Sequence, residues 1–179
     1  NGKSTTTALV HHLLECAGLP VRMGGNIGLP ILSQAPLPAG GVYVLELSSY
    51  QIDITHSLSC DAAALINLSP DHLDRYDGYA GYVASKARLF DMQTGNTQSV
   101  FGKGDADTEQ VYRDVLARRG AVDAVVNSAG VLQNAIRITD MEIAEYDRIH
   151  AINVRGTLLV NQAFGRAMTA RGSGVIVNM

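Results

Sequence analysis

Tryptophan is absent, phenylalanine occurs three times and cysteine twice in 179 residues, and only 17% of the chain is charged. Cys16 and Cys60 are far apart and match no metal or redox spacing, so they read as buried free thiols in a reducing cytoplasm. No apolar run is long enough to cross a bilayer and no basic-then-apolar leader opens the chain, so no membrane partner is expected. A net charge of -3 lacks the basic excess that nucleic acid or an acidic membrane would attract. No methionine precedes Asn1, which reads as a processed, trimmed or excerpted start. There is no internal repeat, and the sequence leaves the oligomeric state open. What remains, 46% hydrophobic, suits an ordinary globular chain with room for one α/β domain or two incomplete ones.

The first half alternates helix and strand. Leu9, Leu13 and Cys16 form a helical stripe within Thr5–Cys16, which Gly18 and Pro20 terminate. MGGNIGLP reads as a glycine-rich loop. Val42–Ser49 and Ala62–Leu68 are short apolar runs of the buried parallel-strand type. PDHLDRYDG is a polar loop, and GYAGYVASKARLFDM a helix. Around Thr94–Asp107 the texture turns small and polar. Asp107 is placed to cap a helix through Val111, Val115 and Leu116 to Arg119, closed by Gly120. Ala121–Asn127 and Ser173–Met179 read as strands, with helices over roughly Met141–Ile149 and Thr157–Ala170. The alternation predicts an α/β fold with parallel, doubly wound sheet in both halves.

The chemistry-bearing residues begin at once. In NGKSTTT, a glycine, a lysine and a hydroxyl residue open a helix. Backbone N–H groups and the positive helix end suit a polyphosphate, Lys3 adds a mobile cation, and the Ser4 hydroxyl is a Mg²⁺ ligand type. A capped helix start with an incidental lysine would look the same. Glu46 is a carboxylate inside an apolar run, near the strand end where ligands gather in parallel sheets; it needs a cation or a hydrogen-bond partner. His72 lies just past the next apolar run, flanked by Asp71 and Asp74. Lys86 falls on the helical stripe of Tyr79, Tyr82, Val83 and Phe90, so it either snorkels outward or meets a negative partner.

In order, NGKSTTT, GGNIGLP, LELSSYQ, NLSPDHLDRY and ASKARLF resemble the central domain of the Mur ligases, over about residues 1–93. The nearest branch is the one that adds D-glutamate to a UDP-sugar-peptide precursor of peptidoglycan. The resemblance implies that Gly2, Lys3, Ser4 and Thr5 hold ATP phosphates, with Ser4 and Glu46 on one Mg²⁺ and His72 and Lys86 serving a second. It implies that the lysine matching Lys86 is carbamylated, and that Asn26 and Ser48 line the nucleotide and substrate side of the cleft. Lys3, His72 and Lys86 would be the catalytic set, activating a carboxylate as an acyl phosphate. Complete members also carry a domain for the uridine nucleotide and one for the amino acid. The strand and Gly-Thr expected before the phosphate loop are absent from this sequence, so full ligation by the chain alone is not expected.

VDAVVNSAGVLQ, YDRIHAINVRGTLLVNQAF and GSGVIVNM resemble a different family, the short-chain dehydrogenases/reductases, over about residues 105–179. Asn127 and Gly130 fall in NSAG, which matches a motif supporting the sheet near the NAD(P) cofactor. Asn153 matches an asparagine supporting a catalytic water relay. The glycine-rich dinucleotide turn and a downstream Tyr-x-x-x-Lys pair are missing, and Tyr146 and Arg148 do not replace them, so no dehydrogenase activity is expected. The expected organisation is therefore a ligase part at 1–98, a junction at 99–106 and a Rossmann segment at 107–179. The two would be fragments joined as a chimera, completing one shared sheet or forming a scaffold with no activity.

Overall fold

A computed structural model describes residues 2–71, 74–102, 104–133 and 136–179. The chain divides into two compact units, Asn1–Val115 and Leu116–Met179. The first unit runs α1 (Lys3–Cys16), β1 (Val21–Gly25), β2 (Val42–Glu46), α2 (Ser49–Asp53), β3 (Ala62–Leu65), α3 (Gly78–Asp91) and β4 (Gln98–Phe101). Helix α4 (Ala106–Arg119) spans the division. The second unit continues with β5 (Ala124–Asn127), α5 (Ile143–His150), a π-helical turn at Ala151–Gly156, α6 (Thr157–Arg171) and β6 (Val175–Asn178).

All strand pairing is parallel, as the alternating pattern predicts, in the pairs β1–β2, β3–β4 and β5–β6. Among the described residues each sheet is one such pair. The expected glycine-rich loop at 23–30 starts instead as strand, because Met23, Gly24 and Gly25 pair with Val44, Leu45 and Glu46. The small, polar stretch after Thr94 likewise contains β4, registered on β3 from Ala62↔Gln98 to Leu65↔Phe101.

The core of the first unit lies where β3, α3 and α4 meet. Ala63, Leu65, Leu68, Tyr82, Phe90, Val111 and Val115 are buried together, and Phe90 stacks on Phe101 with ring centroids 4.6 Å apart. Helix α3 thus buries the stripe its sequence marks, and it carries Lys86 inward with it. Helix α1 does not: Leu9 and Leu13 are 54% and 58% exposed, Cys16 is exposed, and Thr7 is its buried residue. A two-stranded pair is too narrow to cover a whole helix face, and among the described residues α1 packs chiefly on β1 and β2. Cys60 is partly buried, with burial and then Asp61 pushing its thiol pKa up.

Asp105, not Asp107, starts α4. Its carboxylate accepts from the Thr108 amide at 2.7 Å and the Thr108 hydroxyl at 2.8 Å, while Asp107 accepts from the Tyr79 hydroxyl at 3.0 Å. In the second unit α6 lies on β5 and β6, and Met168 is buried while Val126, Val175 and Val177 stay exposed. No helix among the described residues is long and apolar enough to cross a membrane.

Candidate functional site

Three helices of the first unit open on one cavity of about 200 Å³, lined by Lys3, Asn26, Ser48, Ser49, Asp71, Tyr82 and Lys86. Helix α1 supplies Lys3 from its first turn. Gly2 precedes it with φ 81°, a left-handed conformation natural to glycine, and no side chain caps the helix. Gly2, Lys3, Ser4 and Thr5 are exposed there, so the first-turn N–H groups are presented rather than covered.

Strand β2 supplies Glu46, 4% exposed at its C-terminal end. The Ser4 hydroxyl donates to its Oε2 at 2.7 Å, and the Asn26 amide donates to its Oε1 at 3.3 Å. The Asn26 backbone N–H also donates to the Glu46 carbonyl at 2.7 Å, which continues the β1–β2 ladder past Gly25. Both side-chain donors are neutral, so they orient the carboxylate without balancing its charge. A hydroxyl and a carboxylate held this close are the hard oxygen donors that Mg²⁺ takes, alongside water and phosphate. The residues present therefore fit that ion. Among the described residues, no three His, Cys, Asp or Glu side chains cluster as a self-sufficient metal site.

Helix α2 places the other wall. Ser48 caps it, accepting from the Gln51 amide at 3.3 Å while Gln51 Oε1 accepts from the Ser48 N–H at 2.9 Å. Ser49 follows, 2% exposed. Opposite, Lys86 on α3 is 8% exposed, with Nζ 5.3 Å from the centroid of the Tyr82 ring. Burial lowers the pKa of Lys86 from the usual lysine value, and the like charge of Lys3 adds to this; Asp71 and Glu46 act in the opposite sense. Lys86 is therefore buried on the stripe where its spacing puts it, and the charges of Lys3, Asp71 and Glu46 all act on it.

Lys3, Ser4, Asn26, Glu46, Ser48 and Lys86 are thus brought together, with Gly2 and Thr5 at the same helix start. His72 lies outside the described residues. Asp71, Ser49 and Tyr82 line the cavity without having been marked as ligand-facing in the sequence. Tyr82 was legible only as part of a core stripe, and spacing gives a stripe residue no signal that its edge faces a cavity.

Asn127, Gly130 and Asn153 belong to the second unit. The Asn153 amide donates to the Val131 carbonyl and its Oδ1 accepts from the Val131 N–H, each at 2.8 Å. A Cβ added at Gly130 would lie 3.7 Å from the same Oδ1. Asn127 donates to the Thr157 hydroxyl and to Asn178 Oδ1, both at 3.2 Å.

A family model described as Mur ligase middle domain matches residues 1–155. That span extends the Mur-like part well past residue 93 and takes in much of the stretch that resembles the dehydrogenases. The UDP-N-acetylmuramoylalanine--D-glutamate ligase of Novosphingobium aromaticivorans is 68% identical over 131 residues, 72% of this chain and 30% of that protein. Those of Sphingopyxis alaskensis and Zymomonas mobilis are 60% identical over 124 residues and 55% over 125, covering 69% and 70% of this chain and 29% and 27% of theirs. The chain therefore spans less than a third of the length of these curated relatives.

Proposed function

The chain belongs to the Mur ligase family through its middle domain, and from that membership we propose that its cavity holds the phosphates of ATP and the Mg²⁺ of an acid–amino-acid ligase. The proposed reaction is the one in its relatives' names, the joining of D-glutamate to UDP-N-acetylmuramoylalanine. The partners are then a nucleotide and a UDP-sugar-peptide. One observation carries the reading: a helix-start hydroxyl, Ser4, bonded to a buried strand-end carboxylate, Glu46, beside a cavity that both Lys3 and Lys86 line.

The uncapped N–H groups after Gly2 and the Lys3 ammonium would hold the nucleotide's phosphates. Ser4 and Glu46 would hold one Mg²⁺, and His72 and Lys86 a second; bound there, the ions would withdraw charge from the phosphoryl oxygens. The substrate carboxylate attacks the γ-phosphorus and ADP leaves, giving an acyl phosphate. The amine of D-glutamate then adds to the acyl carbon, and inorganic phosphate departs as the amide forms. Asn26 orients Glu46 for this work, and Ser48 and Ser49 form the wall that a substrate meets. As a carbamate, Lys86 would present an anionic oxygen pair where its ammonium now faces another cation.

Titration of Mg·ATP into the chain tests the site. The Lys3→Ala variant is expected to weaken binding about tenfold or more, and unchanged affinity in that variant would refute the assignment. A second reading, an NAD(P)-binding oxidoreductase fragment, rests on the two-bond grip of Asn153 on Val131 within a π-helical turn. Enhanced NADH fluorescence on titration would support it, and an unchanged signal would eliminate it.

A further inference from the structure

Asp53 ends α2, outside the cavity lining, yet its carboxylate joins the segments that form the cavity. Its Oδ1 accepts from the Ser85 hydroxyl at 2.6 Å and its Oδ2 from the Tyr76 hydroxyl at 2.7 Å. Ser85 immediately precedes Lys86 on α3, and its hydroxyl also lies 3.4 Å from the Ser49 carbonyl. The Tyr76 ring meets that of Tyr82, which lines the cavity, edge-on with centroids 5.7 Å apart. Arg88 closes the joint, donating to the carbonyls of Ile52, Asp53 and Thr55 at 3.3, 3.1 and 3.2 Å.

Helix α2 has five residues, too few to hold its own geometry. Whatever places Ser48 and Ser49 across from Lys86 therefore acts through tertiary bonds, and the carboxylate has one oxygen for each of the other two segments. We infer that Asp53 is a positioning residue of this site: through Ser85 and Tyr76 it fixes the Lys86 helix, and the Tyr76 ring beside Tyr82, against the Ser48–Ser49 wall. An asparagine there has the same shape but no charge and a single acceptor oxygen, so one of the two hydroxyls can no longer donate to it. This assignment rests on the reading that the cavity takes Mg·ATP, and supporting shells of this kind typically govern affinity by about 10- to 100-fold.

The test uses the full chain with two readouts, Mg·ATP affinity by calorimetry and the rate at which acetic anhydride labels Lys86, read by mass spectrometry. Asp53→Asn is expected to weaken Mg·ATP about tenfold or more and to speed Lys86 labelling several-fold. Val115→Ala, in the core but taking no part in these bonds, is expected to lower the melting temperature with both readouts at wild-type values. Should Asp53→Asn fail to fold, Tyr76→Phe and Ser85→Ala each remove one arm and carry the same comparison. Wild-type affinity together with a wild-type labelling rate in the Asp53 or single-arm variants overturns the inference, as does an equal loss in Val115→Ala. If the wild-type chain binds no Mg·ATP, the nucleotide reading fails on its own, and the labelling rate alone decides whether Asp53 positions Lys86.

Discussion

At position 25 the backbone leaves no space for a side chain. Gly25 has φ 99°, and a Cβ built there would overlap the carbonyl oxygen of Glu46 across the β1–β2 pair. The close approach is what lets Asn26 reach both the Glu46 backbone and its carboxylate. Gly25→Ala should therefore strain β1 by about 2 kcal/mol or more and displace Glu46, losing Mg²⁺-dependent nucleotide binding; retention of that binding would show the approach to be dispensable. Lys86 gives a second prediction at this scale. Because burial, with Lys3, lowers its pKa, its amine becomes a free base at lower pH than an exposed lysine does. The free amine attacks CO₂ and sheds a proton to form a carbamate. With ¹³C-bicarbonate, a carbamate resonance is expected to grow as pH rises through that lowered pKa and to vanish in Lys86→Arg; its absence in the wild type would refute carbamylation. Glu46 and Lys86 were legible in the sequence because each places a charge in an apolar pattern. Asp53 was not, since an aspartate at the end of a five-residue helix carries no periodicity, and its two hydroxyl partners come from residues 23 and 32 positions away.

Among the elements, α3 was the most legible, because fourteen residues of consistent stripe settle both its span and its buried face. Helix α1 had an equally clear stripe, but its exposure depends on what lies beyond two strands, which spacing within the helix does not encode. Helix α4 shows the same division between local and tertiary information. Its end at Gly120 was readable, whereas Asp105 rather than Asp107 caps its start, and Asp107 instead accepts from Tyr79 of α3. Asp105 also accepts from the Leu68 amide at 3.3 Å, so one carboxylate ties the α4 start to the segment after β3. Asp105→Ala is expected to cost about 1–2 kcal/mol, seen as a lower melting temperature, and an unchanged value would place the cap elsewhere. Its pH dependence has a definite sign. Burial tends to raise the Asp105 pKa, but hydrogen bonds from the Thr108 amide and hydroxyl and from Leu68 outweigh it, leaving the group below the ordinary 3.8. Asp53 is lowered in the same way, with Ser85, Tyr76 and Arg88 outweighing burial. Their stabilisation is thus fully present above the unfolded value and is lost as pH falls through the folded one. Melting temperatures should fall steeply below that pH in the wild type and less steeply in Asp105→Asn.

Across the whole chain, stability is expected to be uneven, because the buried apolar residues are not shared equally by the two units. The contiguous core of Ala63, Leu65, Leu68, Tyr82, Phe90, Val111 and Val115 belongs to the first unit, whereas in the second Met168 is the apolar residue buried among those described. The strands of the second unit expose Val126, Val175 and Val177, and a two-stranded pair is marginal without packing on both its faces. Local opening free energy follows buried apolar contact, so backbone amides in β3 and α3 should be the slowest to exchange with solvent deuterium, while those of β5 and β6 exchange faster by orders of magnitude. Phe90→Ala, which removes the most buried aromatic and its stack on Phe101, should cost about 3–5 kcal/mol and erase the slow class in β3 and α3. It should leave the fast class of β5 and β6 where it was. Hydrogen exchange read by mass spectrometry separates the outcomes by peptide. Equal protection of β5 and α3 in the wild type, or simultaneous loss in both on Phe90→Ala, would mean that the chain opens as one cooperative body. In that case the stability of the candidate site would depend on the second unit as much as on the core beneath α3.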